Sequence, residues 1–158
     1  MKSIAGNNTS KICMTCTQVN PDDLVYESMY WRVILCDDQA YLGRSIIALK
    51  RHARHLSVLS AAEWQDFSLL AKKLEHAFMA AFDARMFNWT ALMNSGYKAN
   101  PYDAHVHWHI RPRYDHTIAI AGHTFIDPNF SHHYERKTDL HVSLTVRKNI
   151  IDMLRKEL

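Results

Sequence analysis

Six residues near the middle of the second half of the chain alternate between histidine and large apolar side chains, and this alternation constrains the fold more than any other feature. They read His105-Val106-His107-Trp108-His109-Ile110. In a β-strand, successive side chains point to opposite faces. We therefore predict a strand over residues 104–111 that ends at Pro112, with the three imidazoles in one row and the three apolar side chains in a core.

The rest of the pattern predicts a single, mainly antiparallel α+β domain. Runs rich in β-branched and aromatic residues favour strands at 24–28, 30–36, 45–49, 86–93 and 117–121. One long helix separates the earlier strands from the later ones, which does not fit a series of βαβ units. The first ten residues are polar and are expected to be flexible, and residues 122–133 are expected to form a loop.

Two helices are expected. Apolar residues recur at spacings of three and four from Trp64 to Ala81, and Ser60 and Glu63 match a capping box at the start of this helix. A C-terminal helix is expected over residues 138–158, with Thr138 as its cap. Its apolar stripe would consist of Leu140, Leu144, Ile151, Leu154 and Leu158.

The composition argues against several classes of partner. The net charge is +3, and the lysines and arginines are spread along the chain without the dense basic stripe that nucleic-acid binding requires. No segment approaches the roughly 18 apolar residues of a membrane span, and the N-terminus has no apolar stretch typical of a signal peptide. Three cysteines, an odd number, fit a reducing compartment. We expect a cytoplasmic protein with no membrane or nucleic-acid partner.

The predicted row of histidines fits two kinds of chemistry. Neutral imidazoles could hold a catalytic zinc ion, as in a metallohydrolase, although the nearby sequence offers only Asp103 and Asp115 as carboxylates. Alternatively, one imidazole nitrogen attacks a phosphorus atom while neighbouring rings and arginines neutralise the phosphate oxygens. Arg111 and Arg113 follow the histidines and favour the second use.

These residues resemble the signature of the histidine-triad (HIT) superfamily, His-φ-His-φ-His-φ-φ with φ hydrophobic, usually followed closely by Pro-Arg. The match comprises residues 105–110 and the Pro-Arg pair at 112–113. Two further segments match in the correct order. Residues 94–96, Asn-Ser-Gly, resemble the family's Asn-x-Gly turn, and residues 43–52 resemble the strand leading into its Pro-Lys-x-His segment. The resemblance covers about residues 13–115.

The resemblance implies a five-stranded antiparallel sheet, commonly in a homodimer, and activity on the α-phosphate of a nucleotide. His107 would be the nucleophile and would form a covalent nucleotidyl-histidine that water then hydrolyses. His109 would contact the phosphate or the leaving group, and His105 would lie behind as a structural partner. The implied substrates are dinucleoside polyphosphates or nucleoside phosphoramidates.

The same resemblance, together with the nearby arginines, predicts the substrate-binding residues Asp37, Asp38, Arg44, Asn94, Arg111 and Arg113. Either aspartate would accept hydrogen bonds from ribose hydroxyls. The asparagine would orient the phosphate, unless it is an ordinary turn residue.

Two departures from the family pattern leave alternatives open. Arg44 stands where the family often has a fourth histidine, and arginine can face a phosphate but cannot exchange a proton. Residues 100–102 read Asn-Pro-Tyr where the family usually brings a hydroxyl or an amide to the leaving group. The alternatives are a nucleotidyltransferase that uses the same chemistry and a nucleotide-binding or regulatory protein with weak catalysis.

A structural zinc site is also implied. Cys13 and Cys16, with His52 and His105, resemble the zinc site of some HIT branches and of the related galactose-1-phosphate uridylyltransferases. Two thiolates and two imidazoles make a closed tetrahedral zinc site, which would tie the N-terminal segment to the sheet. The alternative is a pair of free thiols.

Overall fold

The computed structural model describes residues 13, 19–98, 100, 102–135 and 138–158. The expected flexibility of the first ten residues falls outside this part of the chain, as does Cys16. Short 3-10 helices occupy Pro21–Asp23, Leu56–Val58 and Asn94–Lys98. Among the described residues, neither of the two α-helices is long and apolar enough to cross a bilayer.

Five strands form one sheet in the order β1-β2-β3-β5-β4. They are β1 Leu24–Glu27, β2 Trp31–Leu35, β3 Ser45–Leu49, β4 Met86–Thr90 and β5 His107–Arg113. Every neighbouring pair in the sheet is antiparallel. The predicted α+β fold with a five-stranded antiparallel sheet is confirmed.

The long helix, α1, spans Ala61–Phe82 and begins at the predicted capping box. The Ser60 hydroxyl accepts a hydrogen bond from the amide of Glu63, and the Glu63 carboxylate accepts one from the amide of Ser60 at 2.7 Å. This arrangement satisfies two of the free amides at the helix start. Trp64, expected on the apolar face, is 39% exposed. The residues that α1 buries in the core are Leu70, Leu74, Ala77, Phe78 and Phe82.

The C-terminal helix, α2, spans Leu144–Glu157 and is shorter than predicted. Its N-cap is Ser143, whose hydroxyl accepts from the amide of Val146. The prediction that Thr138 begins this helix is wrong, because the Thr138 hydroxyl donates instead to Asp38 at 2.7 Å. Leu144 is 82% exposed and does not belong to the buried stripe. The helix buries Val146, Ile150, Ile151 and Leu154.

The segment that was expected to be a loop after residue 121 contains a strand. β6, Ile118–Ile120, pairs antiparallel with β7, His123–Phe125. The two residues between them, Ala121 and Gly122, have φ angles of 48° and 82°. Two consecutive positive φ angles are typical of a tight two-residue hairpin turn. Alanine rarely adopts this conformation, so the turn has no clear signature in the sequence.

β5 continues through Pro112 to Arg113, although the proline was predicted to end it. The pairing of β3 with β5 extends only as far as the pair Ser45–Ile110. Beyond Ile110, β4 is the only strand that pairs with β5 in the described part of the chain. Proline is tolerated where its missing N–H faces no partner strand.

Candidate active site

The core of the domain lies on one face of the sheet, where the two α-helices contribute their buried residues, and His107 and His109 point to the other face. On the core side, the ring of Trp108 stacks on Phe67 of α1 with their centroids 4.9 Å apart. Ile110, also on the core side, is fully buried. The structure therefore shows the predicted alternation for residues 107–110. We call the face opposite the helices, which presents His107, His109 and Arg111, the histidine face.

His107 and His109 form a direct pair at the centre of the histidine face. Their ring centroids lie 4.8 Å apart, and their Nε2 atoms are separated by 3.2 Å. The Nδ1 atom of His107 lies 2.8 Å from the backbone carbonyl oxygen of His105. Because a carbonyl oxygen can only accept, Nδ1 of His107 holds the proton and Nε2 presents a lone pair. A lone pair held in this way can attack an electrophile.

The surroundings of His109 favour its neutral form. Burial lowers its pKa to about 4, and the positive charges of Arg111 and Arg44 act in the same direction. Near neutral pH, His109 is therefore uncharged. Its Nε2–H donates toward the lone pair of His107 and is available to a ligand oxygen.

His105 does not join the predicted row of three histidines. It precedes β5 and is 3% exposed. Its Nε2–H donates to the backbone carbonyl of Leu49 at 2.7 Å. Its Nδ1 faces the Sγ of Cys13 at 3.5 Å and the Nδ1 of His52 at 3.4 Å. The row is thus a pair on the strand, with the third histidine turned toward the N-terminal segment.

The chain after β3 places His52 beside His105. The amide of Val106 donates to the carbonyl of Ala53 at 2.8 Å, which joins the segment after β3 to the segment before β5. Within the described part of the chain, Cys13, His52 and His105 are the only group of three potential metal ligands close enough to share an ion. Cys16, the fourth predicted ligand, lies outside it.

Arg44 and Arg111 lie next to the histidine pair, and the charges of both act on His109. They are the residues directly beyond Ser45 and Ile110, the last pair between β3 and β5. Arg111 is 6% exposed, and its guanidinium lies 4.2 Å from the centroid of the Tyr134 ring. Tyr134 was not among the predicted site residues, because no local pattern links it to a strand more than 20 residues away.

Asp38 lies in a network of hydrogen bonds within the protein. Its carboxylate accepts hydrogen bonds from two backbone amides, from the hydroxyl of Thr138 and from the guanidinium of Arg44. Burial acts to raise its pKa, but these donors outweigh burial and lower it. The side chain of Asp37, in contrast, is 80% exposed. The ribose contact expected of one of these two aspartates remains a prediction.

Arg113 is fully buried and bonded on every side, which does not fit the predicted substrate contact. Its Nε and Nη2 donate to the carboxylate of Asp127 at 2.5 and 2.9 Å. Its remaining N–H groups donate to the side chain of Asn88 and to the backbone carbonyls of Asn129 and His132. All five N–H donors of the guanidinium are thus used within the protein. Arg113 holds the segment after β7 against the sheet.

Asn94 is exposed at the first position of its 3-10 helix, and no hydrogen bond joins it to the histidines in the described residues. Two residues later, the structure explains why position 96 is a glycine. A Cβ atom at this position would lie 2.4 Å from the Cα of Ala104. Only glycine allows this turn to approach the segment that leads into His105.

Comparisons with known proteins agree with this geometry. A family model described as the HIT domain matches residues 17–116. No curated protein sequence matches the chain. Similar solved structures include a zinc-bound histidine triad family protein from Mycobacterium smegmatis, with 19% identity, a TM-score of 0.61, and coverage of 92% of this chain and 91% of that chain.

Two further structures have a similar fold. A hypothetical histidine triad nucleotide-binding protein from Sulfolobus tokodaii has 19% identity, a TM-score of 0.63, and coverage of 92% of this chain and 91% of that chain. Plasmodium falciparum diadenosine triphosphate hydrolase, solved in complex with cyclomarin A, has 15% identity, a TM-score of 0.60, and coverage of 87% and 77%. At these identities the likeness shows a shared fold. Because the family model spans more than half of the sequence, the chain belongs to the histidine-triad (HIT) family.

Proposed function

We propose that this protein is a nucleotide hydrolase in which His107 attacks the α-phosphorus of a nucleotide. The observation that supports this most directly is the 2.8 Å hydrogen bond from Nδ1 of His107 to the carbonyl of His105. It turns the lone pair of Nε2 toward the face that the helices leave open. Histidine-triad structures of similar fold are described as nucleotide-binding and as a diadenosine triphosphate hydrolase, which supports a nucleotide as the ligand.

The proposed reaction has two steps at one phosphorus atom. In the first, the Nε2 lone pair of His107 forms a P–N bond while the bond to the leaving group breaks, and the leaving group keeps the electron pair. The carbonyl of His105 accepts from Nδ1–H and stabilises the positive charge that develops on the ring. His109 donates to a phosphoryl oxygen. In the second step, water forms a P–O bond to the phosphorus as the P–N bond breaks. The electron pair of that bond returns to Nε2 of His107, the water loses a proton to solvent, and a nucleoside monophosphate leaves.

The test is His107→Asn, because the asparagine amide can replace the Nδ1 donor but has no counterpart of Nε2. We expect turnover to fall by at least about a thousandfold, as for other covalent nucleophiles, while the folded state is retained. His76→Asn, at an exposed position on α1, is the matched control and should keep full activity. After the reaction is quenched in base, intact-protein mass spectrometry should show the added nucleotidyl mass in the parent protein and not in His107→Asn.

The outcomes separate the alternatives. Wild-type turnover by a folded His107→Asn variant would contradict the assignment of the nucleophile. Transfer of the labelled nucleotidyl group to an acceptor other than water would identify a nucleotidyltransferase. Nucleotide binding without turnover of any substrate would identify a binding or regulatory protein.

We also propose that Cys13, Cys16, His52 and His105 hold a structural zinc ion. In a tetrahedral site with typical zinc–ligand lengths, two nitrogen ligands lie about 3.3 Å apart, and a nitrogen and a sulfur about 3.6 Å apart. The corresponding distances from His105 are 3.4 Å to His52 and 3.5 Å to Cys13. A histidine-triad protein of similar fold is zinc-bound, which supports this choice of metal.

The bond from His105 to the Leu49 carbonyl places the proton on Nε2 and a lone pair on Nδ1, as coordination of a metal through Nδ1 requires. Bound zinc would cross-link the N-terminal segment to the segments after β3 and before β5. It would therefore help to fix the His105 carbonyl that orients His107.

Elemental analysis tests the zinc site. We expect one zinc per chain in protein grown with zinc, and its loss in Cys13→Ser and in Cys16→Ser. Cys36→Ser is the matched control, because Cys36 lies at the end of β2, outside this cluster, and should retain the metal. Equal zinc content in all four proteins, or none in any of them, would contradict the site.

We further propose a homodimer, as the family resemblance implies. Among the described strands, β4 stands at one end of the sheet with β5 as its neighbour, and a strand at the edge of a sheet is a template for pairing with another chain. Sedimentation equilibrium should give twice the mass of the chain, and a monomer at micromolar concentration would contradict the proposal.

A further inference from the structure

Arg111 is a buried cation for which the described residues provide no hydrogen-bond acceptor. It is 6% exposed, and its Nη1 is buried without a partner. Within the described residues, none of its N–H groups takes part in a hydrogen bond or an ion pair, and its one specific contact is the ring of Tyr134. Burying a group of this kind costs free energy, because its hydrogen bonds to water are lost and are not replaced by hydrogen bonds within the described residues.

Arg44 adds a second positive charge at the same place. Arg44 and Arg111 are the residues directly beyond the last β3–β5 pair, Ser45–Ile110, and like charges that act on each other repel. Asp38 pairs with Arg44, which leaves one of the two positive charges without a counterpart. The Nε of Arg44 is also buried without a partner. Burial and the charge of Arg44 both lower the pKa of Arg111, which means that the surroundings disfavour its positive charge.

We propose that Arg44 and Arg111 bind a second phosphate group of the substrate, in addition to the phosphate that His107 attacks. This inference rests on the proposed function and narrows its substrate class. Arg111 follows His109 by two residues on the same face, about 7 Å along the strand. An arginine side chain spans that distance, and its planar array of donors matches phosphate oxygens.

The neutral state of His109 supports the same substrate class. An amine leaving group requires a proton to depart, and a neutral imidazole is a poor acid. A phosphate leaving group departs as an anion and requires none. We therefore expect nucleotides with two or more phosphates to be better substrates than phosphoramidates. The second phosphate has two possible sources, a continued 5′-phosphate chain or a phosphate on the ribose.

The experiment measures binding by calorimetry in the His107→Asn background, where turnover does not consume the ligand. The probes are AMP, ADP and adenosine 3′,5′-bisphosphate. We expect ADP to bind at least about tenfold more tightly than AMP, the effect of one charge-assisted contact. A comparable gain for the bisphosphate instead would place the second phosphate on the ribose.

In the variant Arg111→Gln, the second phosphate should no longer increase the affinity of ADP over that of AMP. The affinity for AMP itself should change by less than about threefold. Arg85→Gln is the matched control, because it removes one positive charge from an exposed position that pairs with Asp83. It should leave the gain unchanged. Arg111→Lys should restore part of it, since lysine keeps the charge but not the planar donors.

Equal affinity for all three probes, or a gain that survives in Arg111→Gln, would overturn the proposal. These binding results do not depend on whether His107 is the nucleophile, because they are measured in the His107→Asn background. A protein that hydrolyses nucleotides without a preference for the second phosphate would refute this subsite alone. A protein that shows the preference but never forms the covalent intermediate would refute the proposed reaction alone.

Discussion

Two arginines on the same strand show how differently this protein treats buried charge. Arg111 and Arg113 lie two residues apart on β5 and both are buried. Arg113 uses all five donors within the protein, and two of them bind the carboxylate of Asp127. Arg111 has a tyrosine ring beside it and no acceptor among the described residues. The satisfied arginine supports the fold, and the unsatisfied one is available to a ligand.

The strongest test of this contrast is Arg113→Met. Removing the guanidinium leaves Asp127, whose side chain is 3% exposed, as an uncompensated buried charge. We expect the free energy of unfolding to fall by about 3–5 kcal/mol, the usual cost of breaking a buried ion pair on one side. Urea denaturation at neutral pH measures it.

The double variant Arg113→Met with Asp127→Leu separates charge from packing. Because it removes both members of the pair, it should recover most of the lost stability. A loss below about 1 kcal/mol in the single variant would show that Asp127 is not dependent on Arg113, and the contrast would fail.

The same two arginines show what the sequence could and could not predict. Both follow the alternating histidines, and on spacing alone both were expected to bind substrate. The difference between them comes from Asp127 and Tyr134, which belong to the segment after β7 and reach β5 only in the folded chain. Partners of this kind have no signature in local spacing. The donors of Arg113 are thus used within the protein for a reason that lies outside its own strand, and its substrate-binding role stays an untested prediction.

His105 gives a second example of this limit. The alternation over residues 105–110 predicted one row of three imidazoles, but the strand begins only at His107. His105 is turned by its bond to the Leu49 carbonyl and by its neighbours His52 and Cys13. Its predicted place in a metal cluster came from the family resemblance, because alternation alone would have kept it on the open face.

Local features were predicted well wherever their causes are local. The capping box of α1 joins residues three apart, and both of its hydrogen bonds form as predicted. Strand β3 begins and ends at the predicted residues, 45–49. The start of α2 was misplaced, because Thr138 is a good capping residue by type but is bound by Asp38, 100 residues earlier.

The second prediction concerns Arg111→Met, the matched partner of Arg113→Met. This substitution replaces a buried cation, for which no described residue is an acceptor, with an unbranched apolar side chain. We expect the free energy of unfolding to rise by about 1 kcal/mol, since the desolvation cost of the cation disappears. Denaturation in the absence of anions measures it, and phosphate should stabilise the parent protein but not the variant. A loss as large as that of Arg113→Met would mean that Arg111 is also structural.

The third and smallest effect belongs to a polar cluster that is fully partnered, like that of Arg113, but lies at the surface. The Glu63 carboxylate, 4% exposed, accepts from Arg51 at 2.5 and 2.9 Å and from the Ser60 amide at 2.7 Å. The hydrogen bonds from Arg51 are the largest cause that lowers its pKa from 4.5 to about 2. Arg51 is 49% exposed, so solvent screens the pair and we expect it to contribute about 0.5 kcal/mol.

The pH dependence of this contribution follows from the direction of the shift. A pKa that is lower in the folded state means that the unfolded chain binds the proton first. The stabilisation is therefore complete above pH 4.5 and is lost as the pH falls toward about 2. The stability difference between the parent protein and Glu63→Gln should shrink over that range, whereas Glu157→Gln, at an exposed position in the last turn of α2, should show no such change. A difference that stays constant across the range would mean that the carboxylate charge contributes nothing, and that a partnered cluster at the surface stabilises the fold through hydrogen-bond geometry alone.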